Sequence, residues 1–451
     1  MMSALTRKDL NTEEWFQTDF SFLKTLNGLL RPQKSDWLRS YRANAATAAS
    51  QMGFPSKKED LWRRLNLKDL PVTELTLGFQ GEPTRQNTNG TLSEKDLCRK
   101  GLSGYLAAGP DGSINIFSND VLKNNIIFCD LKAAEQFAPQ ILESFLGRLI
   151  KPEENKFTCM VAGLAQYGAF LYVPKGVRID HPLYFSQESV NINQVGLSQT
   201  LVILEAGAEI TFVRRMSSPQ KKGKLLQVGT TEIHLGVGAK CTFVEMIDWG
   251  QDVWEISQDK ARLARNAELY WLVGSMGGYY KKKHLDIELA GQNSQCTTEA
   301  FSLSLEKQRT ELDTRTWHLA ADTKSNLLLK NVLLNESETI WRGLVHVARK
   351  AIRSDGYQSN RNLVLSEGAK VESIPALEIL TDDVRCSHGS ATGQMDPEEL
   401  FYLQARGMDE QVAQGLLIEG FLVPVIDDFP EGLVRKEILR LLKKSGINTS
   451  I

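Results

Sequence analysis

The chain contains no GxxxxGK(S/T) phosphate loop and no clean GxGxxG following a strand. Any ATP-driven work by this protein therefore needs its hydrolysis from a partner. No apolar run reaches the roughly 18 residues that a membrane-spanning helix requires. Basic charge is not in surplus either: Lys plus Arg number 53 against 55 for Asp plus Glu, a net charge of −2. This argues against nucleic acid or an anionic membrane surface as the partner. The basic run Lys281-Lys282-Lys283 reads as a solvated face. The six cysteines, Cys98, Cys129, Cys159, Cys241, Cys296 and Cys386, include no CxxC. The opening "MMSALTRKDLNTEEWF" is neither a secretory nor a typical transit signal. Together these features point to reduced thiols in a cytosol-like compartment.

What the sequence does contain falls into three regions: 1–150, 151–390 and 391–451. The first reads as mainly helical. In "SDWLRSYRANAATAASQMGFP", Ser35 is placed to cap a helix, and Trp37, Leu38, Tyr41, Ala45, Ala48, Ala49 and Met52 share one face. Gly53 and Pro55 then stop it. The polar stretch "GEPTRQNTNGTLSEKD" reads as a loop or linker.

In the second region short alternating segments dominate, as in "QTLVILEAGAEITFVRRM". "LEAGAEITFV", "LGVGAKCTFV" and "LSEGAKVESI" resemble one another. "LARNAELYWL" is a fainter copy, with Asn266 where the others have Gly207, Gly238 and Gly368. Asparagine is the usual substitute for glycine in a left-handed backbone, so all four positions are expected at positive φ. The intervals are uneven, 31 residues from Gly207 to Gly238 and 28 from there to Asn266. A strand–turn–strand unit with loops of variable length fits a parallel β-solenoid, and an ordinary β-sandwich fits the same pattern.

The third region turns helical again. In "MDPEELFYLQARGM", Asp396 caps, Pro397 takes the first position, Glu398 and Glu399 fill the first turn, and Gly407 closes. Asp409 begins a second helix through "EQVAQGLLIEGF", and "PEGLVRKEILRLLKKSG" reads as a third. These helices pack either on the chain's own β-region or on a partner protein.

One short motif carries chemistry. In "DDVRCSHGSA", read as the last strand of the β-region, alternation puts Val384, Cys386 and His388 on one face. Thiolate and imidazole side by side suit an iron–sulfur cluster, zinc or copper, but two ligands leave a tetrahedral site incomplete. A small buried cysteine beside a hydrogen-bonded histidine fits the same spacing. The remaining histidines, 181, 234, 284, 318 and 346, are isolated and read as structural.

The segment "GYQSNRNLVLSEGAKVESIPALEILTDDVRCSHGSATGQMDPEELFYLQARGMDEQVAQGLLIEGF" closely resembles the C-terminal core of the SufB/SufD family of the SUF iron–sulfur cluster assembly machinery. "LNESETIWRGLVHV" and, more loosely, "KEDLWRRLNL" extend the similarity upstream. Within the family, Ser387-His388-Gly389 matches the SufD branch, where SufB-like chains typically carry Ser-His-Glu. The resemblance implies a right-handed parallel β-helix flanked by N-terminal and C-terminal helical domains. It implies a non-catalytic scaffold that works with one SufB-like paralogue and two copies of a SufC-like ABC ATPase, the latter docked on the C-terminal helices. Sulfur donor proteins would act indirectly, and the isolated chain would form a homodimer.

By the same resemblance His388 lies at the interface with the paralogue, and His388 with Cys386 serves a nascent cluster shared between the two proteins. Flavin involvement is left open, and the bacterial cytoplasm is the expected compartment, ahead of plastid stroma. Two other classes compete with the scaffold: an enzyme built on a β-helix, and an interaction subunit whose Cys386 and His388 merely pack.

Overall fold

The computed structural model describes residues 36–65, 75–78, 101–109, 112–165, 167–189, 192–218 and 223–426, with residues 440 and 443. Helix α1 (Asp36–Gln51) comes first, followed by the short strands β1 (Thr76–Leu77), β2 (Gly104–Gly109) and β3 (Gly112–Phe117). Helix α2 (Asn119–Lys123), β4 (Ile127–Asp130), α3 (Leu131–Phe137), α4 (Pro139–Phe145) and α5 (Lys156–Leu164) complete the entry. The segment before residue 151 thus contributes strands as well as helices. On α1, Leu38, Ala45 and Ala49 are buried, as the apolar spacing predicts, and so is Arg42. Ser35 and the polar stretch 81–96 lie outside the described residues.

Eight strand pairs follow. They begin with β5 (Ala169–Val173) and β6 (Leu183–Glu188), then β7 (Gln194–Leu204) and β8 (Glu209–Ser217), then β9 (Leu225–Leu235) and β10 (Lys240–Asp248). Next come β11 (Val253–Leu263) and β12 (Glu268–Met276), then β13 (Tyr280–Leu289) and β14 (Gln295–Ser304), then β15 (Arg309–His318) and β16 (Lys324–Leu333). The last are β17 (Glu338–Val347) with β18 (Ser354–Val364), and β19 (Lys370–Ile379) with β20 (Val384–Gln394). From β5 on, odd strands stack in one ten-stranded sheet, which β1 and β4 join, and even strands in a second, which β2 and β3 join. From β5 onward every pairing within a sheet is parallel, as between β10 and β12 or β11 and β13. Each pair is one turn of a parallel β-solenoid, and the sandwich alternative falls away. Antiparallel pairing appears only at the start, between β2 and β3 and between β4 and β5, among the described residues.

In-register stacking lays like residues over like. Phe212, Phe243 and Trp271 form one inward column, with ring centroids 5.4 and 5.0 Å apart. Outside the solenoid, α1 and α5 with Trp62 cover the odd-strand sheet through Phe157, Leu197 and Val228. Helices α6 (Pro397–Ala405) and α7 (Glu410–Ile426) follow β20.

The turns joining odd to even strands explain three of the four look-alike segments. Gly207, Gly238 and Asn266 sit at φ of 70°, 66° and 57°. Each N–H reaches the following turn, as in Gly238 to the Arg265 carbonyl at 2.9 Å and Asn266 to the Gln292 carbonyl at 3.0 Å. Gly368 departs from the expectation. It belongs to the opposite row of turns, between β18 and β19, and is not at positive φ. A Cβ there would lie 2.9 Å from the Asn335 carbonyl, so close backbone approach is what calls for glycine. The four segments therefore mix two sides of the solenoid.

Candidate functional site

Strand β20 ends the even-strand sheet and pairs with β18, while β19 ends the odd-strand sheet and pairs with β17. Among the described residues nothing pairs beyond either, so both edges present unsatisfied backbone donors and acceptors. Burial fades at this end. Ile374 and Ile379 are each 39% exposed and Leu380 46%.

Cys386 and His388 lie on this last turn. Cys386 stands opposite Gly356 and His388 opposite Gln358, so both belong to the inward-facing row of β20. Val384 and Cys386 pack against Val345, Val347 and Ala351. Burial raises the Cys386 thiol above its ordinary pKa, opposed by a hydrogen bond from the Gly356 backbone. His388 shares the row but is exposed, because no further turn covers it. Among the described residues no three His, Cys, Asp or Glu side chains gather to hold a metal ion. Among the described residues this open edge carries one thiol and one imidazole on the same strand row, with no third such group gathered beside them.

Of the other described histidines, His181 is exposed and the remaining four are packed against neighbours. His318 is buried between Thr323 and Ser325, with both ring nitrogens 2.8 Å from a hydroxyl, and burial lowers it to about 4. His234 packs edge-on to Phe145. His346 lies 3.1 Å from a Glu378 carboxylate oxygen. His284 sits 3.4 Å from Asp313 and beside Trp62, and burial, then the neighbouring Lys282, lowers its pKa well below the ordinary imidazole value.

Lys281, Lys282 and Lys283 are not a solvated face: all three are buried, at 3%, 0% and 7% exposure. Alternation sends Lys282 to the outer surface of its sheet, where it binds Glu311 and Asp313 at 2.8 and 3.1 Å under the Trp62 ring. Lys281 and Lys283 point into the solenoid. Lys283 pairs with Asp259 and with Glu245, the latter at 3.0 Å, and Glu245 also binds Arg214. Burial alone would lower Lys283, but Asp259 and Glu245 more than offset it and hold the ammonium above its usual range. Lys281 has a hydroxyl, Ser275, at 2.9 Å, and burial lowers it to about 8.

The carboxylates of this network are far from the lysines in sequence, so composition alone could not pair them. The available signal was position. Three lysines inside an alternating strand cannot all face water when a second sheet and a covering segment enclose both sides.

The C-terminal helices divide. The Asp396 side chain accepts from the Glu398 N–H and Pro397 opens α6, as the sequence predicts, yet α6 buries no residue. Phe401 and Tyr402 stand 71% and 55% exposed. By contrast α7 packs Ile418, Leu422 and Val425 on the outer face of the even-strand sheet. Lys330 donates to the Phe421 carbonyl at 2.5 Å, fixing α7 in place. The third helical stretch, 430–446, lies almost entirely outside the described residues.

Comparison with known proteins follows this geometry. The family model "SUF system FeS cluster assembly, SufBD core domain" matches residues 185–421, and "SufBD protein N-terminal region" matches residues 20–185. The iron-sulfur cluster assembly protein SufB of Bacillus subtilis is 28% identical over 316 residues, covering 69% of this chain and 67% of that protein. An iron-sulfur cluster assembly SufBD family protein of Staphylococcus haemolyticus is 24% identical over 410 residues, 88% of this chain and 87% of its own length. A Staphylococcus aureus relative of the same description is 24% identical over 407 residues, 88% of this chain and 86% of that one. The chain belongs to the SufB/SufD family of the SUF iron–sulfur cluster assembly system.

Proposed function

We propose that this SufB/SufD family member is a SufD-type, non-catalytic scaffold subunit of the SUF assembly complex. In this reading its open last turn pairs with a SufB-like paralogue, and His388, assisted by Cys386, offers ligands to a nascent iron–sulfur cluster. The observation that carries it is the placement of an exposed histidine on a terminal strand paired on one side only, with no complete ligand set among the described residues. A site missing half its donors at an edge missing its neighbour is completed by one event, the arrival of a second strand bearing further ligands. Gly389 after the histidine supports the SufD branch. The exposed α6, with Phe401 and Tyr402, is the surface offered to an ABC-type ATPase, which supplies the hydrolysis that this chain has no motif for.

The test is anaerobic reconstitution with iron and sulfide, using the chain alone and with the SufB-like and ATPase partners. The expected result is cluster absorbance in the mixture and little in this chain alone. His388→Ala should assemble normally by size exclusion and lose most of the cluster signal. A stable His388→Ala complex with normal cluster content would move the site elsewhere.

A further inference from the structure

Residues 59–65 cross the outer face of the odd-strand sheet toward its free end. Three attachments hold them. The Trp62 ring packs at a tilt against His284 of β13, with centroids 5.0 Å apart. Arg342 of β17 donates to the carbonyls of Asp60 and Leu61, at 2.6 and 3.0 Å, while its Nε binds Asp313 at 2.5 Å. Arg64 reaches furthest, gripping Glu372 of β19 with both guanidinium nitrogens. Glu372 lies opposite Ile340 and Ile374 opposite Arg342, so the residue that Arg64 grips and the one that holds the segment's carbonyls are two register positions apart on paired strands. This connection joins residues 308 apart in the chain.

We propose that residues 59–65 are a strap that holds the free edge strand β19 in pairing geometry, with Arg64 as the positioning residue. A strand paired on one side opens more readily than an interior strand. A partner strand that adds to such an edge must otherwise order it on arrival, which weakens binding. The two-point guanidinium grip fixes direction as well as charge, which a lysine does not reproduce. The pair is 25% and 45% exposed on its two sides, so it adds little to global stability and its effect is local. The use of this edge by a partner rests on the function proposed above, whereas the holding of β19 is a property of the chain alone.

The experiment is hydrogen exchange on the full chain, read by mass spectrometry, for wild type, Arg64→Ala, Arg64→Lys and the swap Arg64→Glu with Glu372→Arg. Arg64→Ala should speed exchange of β19 by about three- to fivefold with the melting temperature unchanged, the size expected of one partly exposed ion pair. Arg64→Lys should recover part of the protection and the swap most of it. Unchanged β19 exchange in Arg64→Ala overturns the strap, as does faster exchange spread over the whole chain. Affinity for the SufB-like partner should fall by a similar factor in Arg64→Ala. Equal affinity alongside faster β19 exchange would overturn the positioning role. A wild-type chain that does not bind that partner would overturn the proposed function, and the exchange result would still decide whether the strap exists.

Discussion

Single side chains carry the largest local energies in the solenoid interior. Lys283, Glu245, Asp259 and Arg214 are buried together, so each charge is tolerable only while its partners remain. Lys283→Met leaves two buried carboxylates with one guanidinium, and should cost on the order of 3–5 kcal/mol in urea unfolding. A cost under about 1 kcal/mol would mean that this interior is hydrated. Glu232 gives a second prediction. Its carboxylate accepts from the N–H groups of Gly147 and Leu149 at 2.7 Å and Ile150 at 3.3 Å, pinning the segment that follows α4 to β9. Burial nevertheless pushes it from 4.5 up to about 7, so the folded chain binds this proton more tightly than the unfolded one. The resulting stability is fully present below about pH 4.5 and lost as pH rises through about 7. Between pH 5.5 and 8 this site should remove on the order of 2 kcal/mol, a slope missing from Glu232→Gln. Neither feature was legible in the sequence. Lys281–Lys283 look like any surface run, and what makes them interior is a set of strands and a covering segment that the local pattern does not name.

Elements were read more securely where their ends carry chemistry. The Asp396-Pro397 start of α6 is decided within a few residues, by a side-chain cap and a fixed φ, so distance along the chain plays no part. The same holds for the turn at Gly238. Open space surrounds a Cβ built there, so any strain in Gly238→Val comes from its φ of 66°. That change should cost on the order of 1–3 kcal/mol, seen as a lower melting temperature. Asn266→Gly should be close to neutral, since it gives up only one exposed bond to Asn293. An unchanged melting temperature in Gly238→Val would remove the argument. Gly368 shows the limit of the reading, because glycine for close approach and glycine for positive φ are spelled alike.

For the molecule as a whole, the strands and turns were visible but their closure into a solenoid was not, since alternation serves a sandwich equally well. The family resemblance supplied that choice. The motif at Cys386–His388 was legible as a pair of donors on one strand row. Its exposure was not, because that depends on the strand being last. The tail also divides in a way that helix patterns hide. Ile418, Leu422 and Val425 belong to the solenoid's own packing, so cutting the chain after Gly393 should expose that sheet and promote aggregation. The sharper test of ATPase docking is Phe401→Ala with Tyr402→Ala, which should leave the melting temperature within about a degree and weaken capture of the ATPase at least tenfold. Undiminished capture would return α6 to an ordinary solvated helix.

The stacking of one turn on the one before it also sets an order of construction. Each turn needs only its predecessor as a template, so a chain emerging from the ribosome can add turns as they are made, starting from the capped end at β2, β3 and β4. Cys386 and His388 are then among the last solenoid residues to find their places. The grip of Arg64 on Glu372, which spans almost the whole solenoid, closes only after β19 has been laid down. A nascent or prematurely terminated chain therefore displays neither donor in its final setting. Synthesis itself keeps this thiol and this imidazole apart from their final neighbours until the turns beneath them are finished.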